Sequence, residues 1–218
     1  MDRKTTSDDL SPSTEEIPTN PKKIAAIEAA NALEQFDRVV EIIDESIRPD
    51  ADFKLRPSLI SELNTLATEG TNPYPGVLRF FNVSIDYSEH NPPPHGHVPP
   101  LVDEMCEYVN NSADKSPIHL AAYLLWRINW IHPYGDGNGR TARATSYLVL
   151  SIRLGFRLPG ANTIPEQIEV DKDPYYTGLE AADAAYEDGK IDVSELEALL
   201  GQYLAAQLLD VHNKALGG

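Results

Sequence analysis

The sequence predicts a mostly α-helical fold with one short β element. Three observations support this prediction. Apolar residues recur at three- and four-residue steps through most of the chain, only one segment alternates with a period of two, and proline or glycine marks the helix ends. Of the 218 residues, 41% are hydrophobic, which is enough for a real core. We therefore expect one domain with extensions.

The composition limits the partners and the compartment. The formal net charge is −16, and a surface this acidic repels a phosphate backbone, so we expect no nucleic-acid partner. No segment approaches the ~20 apolar residues of a membrane span, and the polar N-terminus lacks the apolar region of a signal peptide. The single cysteine, Cys106, excludes an internal disulfide and fits a reducing compartment. We expect a cytoplasmic protein with no membrane partner.

The N-terminal part carries two predicted helices behind a polar arm. Residues 1–20 are acidic and contain serine and proline, which is typical of a disordered or loosely docked arm. Residues 22–47 repeat apolar side chains at helical steps after Asn20-Pro21, a cap followed by a first-turn proline. A second helix is predicted from Pro57 to Thr68, where a glycine- and proline-containing run ends it.

One segment follows the strand period instead of the helix period. The alternation from Val77 to Tyr87 predicts a β-strand or one arm of a hairpin. Residues 88–100 hold five prolines and are expected to form an extended loop. The same loop contains three histidines, whose spacing lacks a fourth metal ligand, so we interpret them as solvated side chains: His90, His95 and His97.

The centre of the fold is predicted to be a pair of helices. Residues 116–131 leave little polar surface and open with a serine cap and a proline, which indicates a buried helix. Pro133 disfavours helical geometry at His132, so this helix should end there. A new helix is predicted from about Asn138 to about Leu154, where a glycine caps it.

Three further helical patterns complete the chain, at about 99–112, 173–188 and 192–213. No internal repeat or coiled-coil pattern is present. Beyond the arm, we interpret residues 21–56 as an N-terminal helical extension and residues 57–218 as the main domain with its C-terminal helices.

The two central helices enclose a dense polar stretch, Ile131-His-Pro-Tyr-Gly-Asp-Gly-Asn-Gly-Arg-Thr-Ala-Arg143. His132 follows a buried helix, so its backbone is anchored, and an imidazole that titrates near neutrality suits general base catalysis. Asp136 offers an oxygen ligand for a hard cation such as Mg²⁺. A histidine and a carboxylate at this spacing therefore predict a reactive centre.

The second half of the stretch has the character of an anion site. Gly137, Asn138 and Gly139 let backbone N–H groups at a helix N-terminus approach a ligand closely. Arg140 and Arg143 are three residues apart on the first turn, so both can face the same phosphates. Asp-Gly and Asn-Gly are also ordinary turn signals. A base, a cation ligand, an anion nest and two guanidinium groups together favour phosphoryl or nucleotidyl transfer.

The stretch from His132 to Arg143 resembles the signature of the Fic family, HPFx[D/E]GNGRxxR. The one departure is Tyr134 for the usual Phe, which keeps the ring but adds a hydroxyl that needs a partner. Two further segments support the resemblance. Gly76-Val-Leu-Arg79 with Asn82-Val-Ser-Ile85 resembles the family's target-docking flap, and Tyr175-Tyr176-Thr-Gly-Leu179 resembles a segment downstream.

This resemblance covers about residues 57–190 and implies a Fic-type helical domain with a short β-hairpin flap. It implies an enzyme that transfers AMP from ATP to a Ser, Thr or Tyr hydroxyl of a target protein. His132 would be the general base and Asp136 would hold Mg²⁺, while Arg140 and Arg143 would bind the β- and γ-phosphates. Backbone groups would cradle the phosphates, and the flap would pair with the target backbone. The residues implied for these last two roles are Gly137, Asn138 and Gly139, and then Val83, Ser84, Ile85, Asp86 and Tyr87.

Two alternatives stay open at this point. The same fold could transfer another group, such as UMP, GMP, phosphate or phosphocholine, because the motif contacts phosphates more than the base. The chain could also be a non-catalytic module that binds a nucleotide or a peptide. The intact His132 argues against the second alternative, since a pure binder needs no base there.

Regulation is suggested by the same resemblance. Many Fic proteins carry an inhibitory helix whose glutamate pairs with the second arginine of the motif. The inhibitory helix of those proteins follows the pattern [S/T]xxxE[G/N]. Glu28 lies in the first predicted helix but lacks the flanking residues of this pattern. Glu69 fits the pattern but stands at an ordinary helix end. Without either, the enzyme is unrestrained or a separate antitoxin-like protein supplies the glutamate. The sequence indicates neither the target nor the oligomeric state.

Overall fold

The structure is a computed structural model that describes residues 17–85, 88 and 90–216. Within these ranges it contains eight α-helices, a 3₁₀ turn at His95–His97 and no β-strand. The helices are α1 (Pro21–Ser46), α2 (Pro57–Thr68), α3 (Val98–Asn111), α4 (Pro117–Ile131), α5 (Asn138–Leu154), α6 (Ile164–Val170), α7 (Asp173–Glu187) and α8 (Ser194–Ala215). Over these same ranges, no helix is long and apolar enough to cross a membrane.

Helices α4 and α5 form the centre of the fold, as the sequence predicts. Ten of the 15 residues of α4 and eleven of the 17 residues of α5 are buried. The two helices pack along each other, with α1 and α2 on the side of α5 and α7 and α8 on the side of α4. The short segment between α4 and α5 is therefore fixed at both ends by the most buried helices of the molecule.

The predicted extension packs onto the main domain through buried amides of α1. Asn31 donates a hydrogen bond to the backbone carbonyl of Glu69 at 2.8 Å, and Gln35 donates one to the carbonyl of Leu63 at 2.8 Å. Both side chains are 7% exposed. Because a buried amide without a partner is costly, these contacts fix the rotation of α1 about its axis. Its Glu28 then faces the loop between α4 and α5.

The predicted strand is wrong over residues 77–85. A single isolated bridge, antiparallel between Leu78 and Tyr134, replaces it. The prediction extended to Asp86 and Tyr87, which lie outside the described residues. An alternating pattern reports which side chains are covered, but a strand also needs a partner that supplies N–H groups. The segment that follows, residues 88–100, is rich in proline. Because proline has no backbone N–H, this segment cannot supply the second strand of a hairpin.

Helix α6 was not predicted, although the sequence carries a signal for it. Thr163 and Glu166 form a capping box, in which the Thr163 side chain accepts from the Glu166 backbone and the Glu166 side chain accepts from the Thr163 backbone. The helix has only seven residues, too few for a helical period to stand out. The 3₁₀ turn at His95–His97 also falls in a segment predicted as extended. The other helices begin and end within about two residues of the prediction.

Candidate active site

His132 turns the chain out of α4. It is the C-cap of that helix and has φ 50° and ψ 59°, which makes it the only non-glycine residue with positive φ in the described part of the chain. Pro133 excludes helical geometry at this position, and the left-handed conformation costs energy that the surrounding packing must supply. The backbone N–H still bonds to Ile128 at 2.9 Å. The imidazole is thus carried by the end of a rigid helix.

The His132 imidazole is neutral at physiological pH. Burial, together with the nearby Arg79 and His90, lowers the pKa of His132 to about 4, against the opposing effects of the Asn129 backbone and Asp136. The ring atom Nδ1 is buried and has no hydrogen-bond partner. A neutral imidazole has one nitrogen with a free electron pair, which is the form that a general base requires.

The loop after His132 is held together from inside. Asn138, which is 2% exposed, accepts from the backbone N–H of Tyr134 at 2.9 Å and donates to its carbonyl at 2.9 Å. The Tyr134 ring is buried, and its hydroxyl lies 3.2 Å from the Ser61 hydroxyl, the partner that the exchange of Phe for Tyr requires. The Asn138 side chain is therefore structural. Only its backbone N–H can serve the phosphate role predicted for this residue.

Gly137 cannot be replaced by a larger residue. It is the N-cap of α5 with φ 75°, and a Cβ atom there would lie 2.4 Å from Cγ2 of Thr68. Its N–H binds the Asp136 carboxylate at 2.6 Å. The following N–H groups, in the first turn of α5, have no partner within the helix, as at any helix N-terminus. Free N–H groups of this kind are what the predicted anion site needs, and phosphate binding there stays a prediction.

Asn64 is a site residue that the sequence analysis missed. Its side-chain nitrogen donates to the carbonyl of Asp136 at 2.9 Å and to the Thr141 hydroxyl at 3.1 Å, and its oxygen accepts from the N–H of Gly76 at 3.0 Å. It thus joins the loop, α5 and the start of the flap segment. The signal was present, because Asn64 is a polar residue four positions after Ile60 on the apolar side of α2.

Both arginines of the loop face carboxylates. Arg140 lies 3.2 Å from Asp136 and 3.1 Å from Glu28 of α1. Its Nη1, the atom near Glu28, is buried and makes no hydrogen bond, so this ion pair is poorly oriented. Glu28 therefore reaches the loop, but it contacts the first arginine of the motif and not the second, with which the inhibitory role was predicted. Glu69 is exposed, and in the described structure it makes no ion pair with either arginine.

Arg143 is bound by a carboxylate that the sequence analysis missed. Glu169 of α6 accepts a hydrogen bond from its guanidinium at 2.5 Å and another from Lys172 at 2.6 Å. Burial acts to raise the pKa of Glu169, but Lys172 and Arg143 outweigh it and hold the pKa below its ordinary value. Glu169 was missed because α6 was not predicted. Its carboxylate is ionised and competes with any phosphate for Arg143.

The flap segment is attached to the same backbone as His132. Arg79, which is 3% exposed, donates to the carbonyl of His132 at 2.7 Å and to that of Ile131 at 3.3 Å, and its backbone N–H donates to Pro133 at 2.8 Å. It also donates to Pro93 at 2.5 Å, which closes the base of the loop 79–93. Beyond this base, residues 82–85 have no regular secondary structure. Val83 and Ile85 are half-buried and Ser84 is exposed.

One cation ligand is available at the loop. Asp136 has a side chain that is 50% exposed, and a carboxylate of this kind suits Mg²⁺, which proteins commonly hold through one or two carboxylates and the phosphates of a substrate. No group of three or more His, Cys, Asp or Glu side chains that could hold a metal occurs in the part of the chain that the structure describes. A cation at this site would therefore depend on a bound phosphate.

Comparison with known proteins agrees with this geometry. A family model described as the Fic/DOC family matches residues 54–150. A Fido domain-containing protein from Dictyostelium discoideum is 41% identical over 100 residues, which cover 46% of this chain and 64% of that protein. The family-model match contains the loop, the flap segment, α2, α4 and most of α5.

Solved structures with the same fold come from bacteria and an animal. A Fic family protein from Desulfovibrio desulfuricans has a TM-score of 0.68 at 22% identity, and Fic-1 from C. elegans has 0.66 at 20%. These matches cover 92% and 94% of this chain but only 57% and 56% of those chains. A Fic domain containing signaling protein from Bacteroides thetaiotaomicron has a TM-score of 0.67 at 21% identity and covers 84% of this chain and 71% of that one. At these identities the likeness shows the fold alone.

Proposed function

Because the chain belongs to the Fic/DOC family, whose members transfer phosphate-containing groups, we propose that it transfers AMP from ATP to a hydroxyl of a target protein. The acceptor is a Ser, Thr or Tyr side chain. The observation that supports this proposal most directly is the neutral His132, anchored six residues before a helix N-terminus that carries two arginines. A base, an anion site and guanidinium groups are the components that this transfer requires.

In the proposed reaction, His132 accepts the proton of the acceptor hydroxyl. The hydroxyl oxygen attacks the α-phosphorus of ATP, the bond from that phosphorus to the bridging oxygen breaks, and pyrophosphate leaves. A pKa near 4 describes the site without a ligand. Phosphates bound nearby bring negative charge, which favours the protonated imidazole and so raises the basicity of His132 when substrate is present.

The phosphates lie at the N-terminus of α5 in this proposal. The N–H groups of Asn138 and Gly139 and the side chains of Arg140 and Arg143 bind them, which overcomes the repulsion expected from a net charge of −16. Asp136 would hold Mg²⁺ together with the phosphates, and the ion would supply positive charge for the leaving pyrophosphate. Arg143 must exchange the Glu169 carboxylate for a phosphate before it can contribute.

The flap segment is the proposed docking rail for the target. In the described structure, the backbone groups of Val83 and Ser84 have no hydrogen-bond partner. An extended target segment can pair with them as an added strand. Since Arg79 fixes the base of this loop to the carbonyl of His132, a target docked on it would be held at a set distance from the base.

The direct test uses purified protein, Mg²⁺, [α-³²P]ATP and a cell lysate, with wild type beside His132→Ala. We expect labelled protein bands with the wild type and none with the variant. Excess unlabelled UTP, GTP or CDP-choline should leave the label unchanged, whereas excess ATP should remove it. Absence of label with the wild type, and also with a variant in which Arg143 is released from Glu169, contradicts the proposal.

A further inference from the structure

His90 is not the solvated side chain that the sequence predicts. Its side chain is only 13% exposed, whereas His95 and His97, in the same proline-rich connector, are exposed. The ring lies 5.7 Å from that of Trp130, and Nε2 is 2.8 Å from the Trp130 carbonyl. Since a carbonyl only accepts, Nε2 carries the proton and donates to it. His90 thus attaches the second end of the flap loop to α4.

The Trp130 carbonyl, which accepts from His90, is the first of four consecutive carbonyls that the flap loop binds. Residues 130–133 present four consecutive carbonyls at the end of α4, where helix carbonyls lack partners within the helix. Arg79 binds the last three of them and His90 binds the first. Both ends of the flap loop, at Arg79 and at His90, are therefore attached to residues 130–133, which include His132. Any shift of either end changes the position of the flap relative to the imidazole.

Asp183 of α7 supports His90 from the other side. One of its carboxylate oxygens accepts from the indole N–H of Trp126 at 2.7 Å, and the other lies 3.7 Å from Nδ1 of His90. The Trp126 bond fixes the carboxylate, so its second oxygen stays directed at the histidine ring. The ring makes its hydrogen bond to the Trp130 carbonyl, and the Asp183 oxygen at 3.7 Å lies within ion-pair distance of Nδ1, so a protonated ring has one preferred orientation between them.

We propose that His90 and Asp183 form a clasp that sets the position of the flap relative to His132. His90 is a positioning residue, because it contacts neither the loop arginines nor the phosphate site. The clasp thereby holds the end of the flap loop at a fixed distance from His132, which the acceptor hydroxyl must reach. Its catalytic consequence rests on the proposed AMP transfer, whereas its structural consequence does not.

The test compares His90→Leu and Asp183→Asn with His97→Leu, a matched change in the same connector. Hydrogen exchange followed by mass spectrometry reports the flap directly. We expect faster amide exchange over residues 77–93 in the first two variants, and wild-type exchange in the control. His90→Gln keeps a donor where Nε2 lies and should restore much of the protection.

The functional readout is the rate of AMP transfer to protein, with ATP affinity measured by calorimetry beside it. Loss of the clasp should lower transfer by about 10- to 100-fold, the effect of a misplaced reactant, and leave ATP affinity within about twofold. If wild type transfers nothing, the proposed function fails while hydrogen exchange still tests the clasp.

Two results would overturn the clasp. The first is wild-type exchange and wild-type transfer in both His90→Leu and Asp183→Asn. The second is faster exchange throughout α4 and α5 with a lower melting temperature, which would make His90 an ordinary packing residue. Unchanged ATP affinity and exchange confined to the flap distinguish positioning from general loss of structure.

Discussion

The catalytic loop and the flap lie side by side but are stabilised in different ways. In the loop, Asn138 binds both backbone groups of Tyr134, and Asn64 binds the carbonyl of Asp136. Among the described residues, the flap is held mainly at its base, by Arg79 and His90, and Asn82 adds a bond to the His95 N–H. In the proposed function, the loop needs one fixed shape, because it presents a base and an anion site together. In the same proposal, the flap needs fixed ends and a free edge, because its partner comes from another molecule.

The largest difference between the two regions should appear in stability. Asn138→Ala leaves the N–H and carbonyl of Tyr134 buried without partners, which should lower the free energy of unfolding by about 2–5 kcal/mol. Asn82→Ala, in the exposed flap, removes the 3.0 Å bond from the His95 N–H and should cost less than about 1 kcal/mol. Urea unfolding of both variants measures this. Equal losses would contradict the contrast between loop and flap.

Acid should weaken the loop through His132. Its pKa in the folded protein, about 4, lies below its unfolded value, so the unfolded chain binds more protons between these values. Stability from this group is therefore complete above about pH 7 and falls as the pH drops towards 4, with about 2 kcal/mol lost at pH 5.

Melting temperatures of wild type and His132→Ala at pH 7 and pH 5 check this prediction. The wild type should lose more stability between the two pH values than the variant, which has no imidazole to protonate. A parallel loss in both proteins would mean that other groups, and not His132, determine the acid response.

The two arginines of the loop should respond unequally to release of their carboxylates. Glu169→Gln removes the charge that binds Arg143 at 2.5 Å and should tighten ATP binding by about 1 kcal/mol, or about fivefold. Glu28→Gln acts on the poorly oriented pair with Arg140 and should change affinity less. Calorimetric titration with ATP and Mg²⁺ compares them. A larger effect of Glu28→Gln would identify α1 as the main restraint.

The smallest effect is expected at the one departure from the family signature. Tyr134→Phe restores the usual ring and removes the 3.2 Å contact with the Ser61 hydroxyl. The loss in stability should be about 1 kcal/mol or less, with transfer activity unchanged. Thermal unfolding and the labelling assay together check this. Loss of transfer in Tyr134→Phe would assign the hydroxyl a role in the chemistry.

The features that the sequence could predict are those whose interacting residues lie close together along the chain. Helix ends depend on adjacent residues, so Ser116 before α4 and Gly155 after α5 locate them well. The site motif is contiguous, and its identification needs no tertiary structure. Glu169 and His90 approach the site from distant segments, and no local pattern distinguishes them from solvated side chains.

The failed strand prediction has a related cause. The alternation indicates a covered side, and Arg79 is buried, although Phe81 on the same side is exposed. What covers it is a series of helix-end carbonyls and not a second strand. A sequence pattern records burial, while the identity of the neighbour depends on the whole fold. The roles predicted for the site residues themselves stay predictions until a nucleotide is bound.

The abrupt end of α4 has one more consequence. A helix carries a partial negative charge at its C-terminus and a partial positive charge at its N-terminus. His132 therefore lies at the negative pole of α4, and the proposed phosphate site lies at the positive pole of α5. The opposed poles attract a proton to one end of the loop and an anion to the other. Because Arg79 and His90 bind carbonyls of that negative pole, the attachment of the flap would, in the proposed reaction, also affect the field at the His132 imidazole.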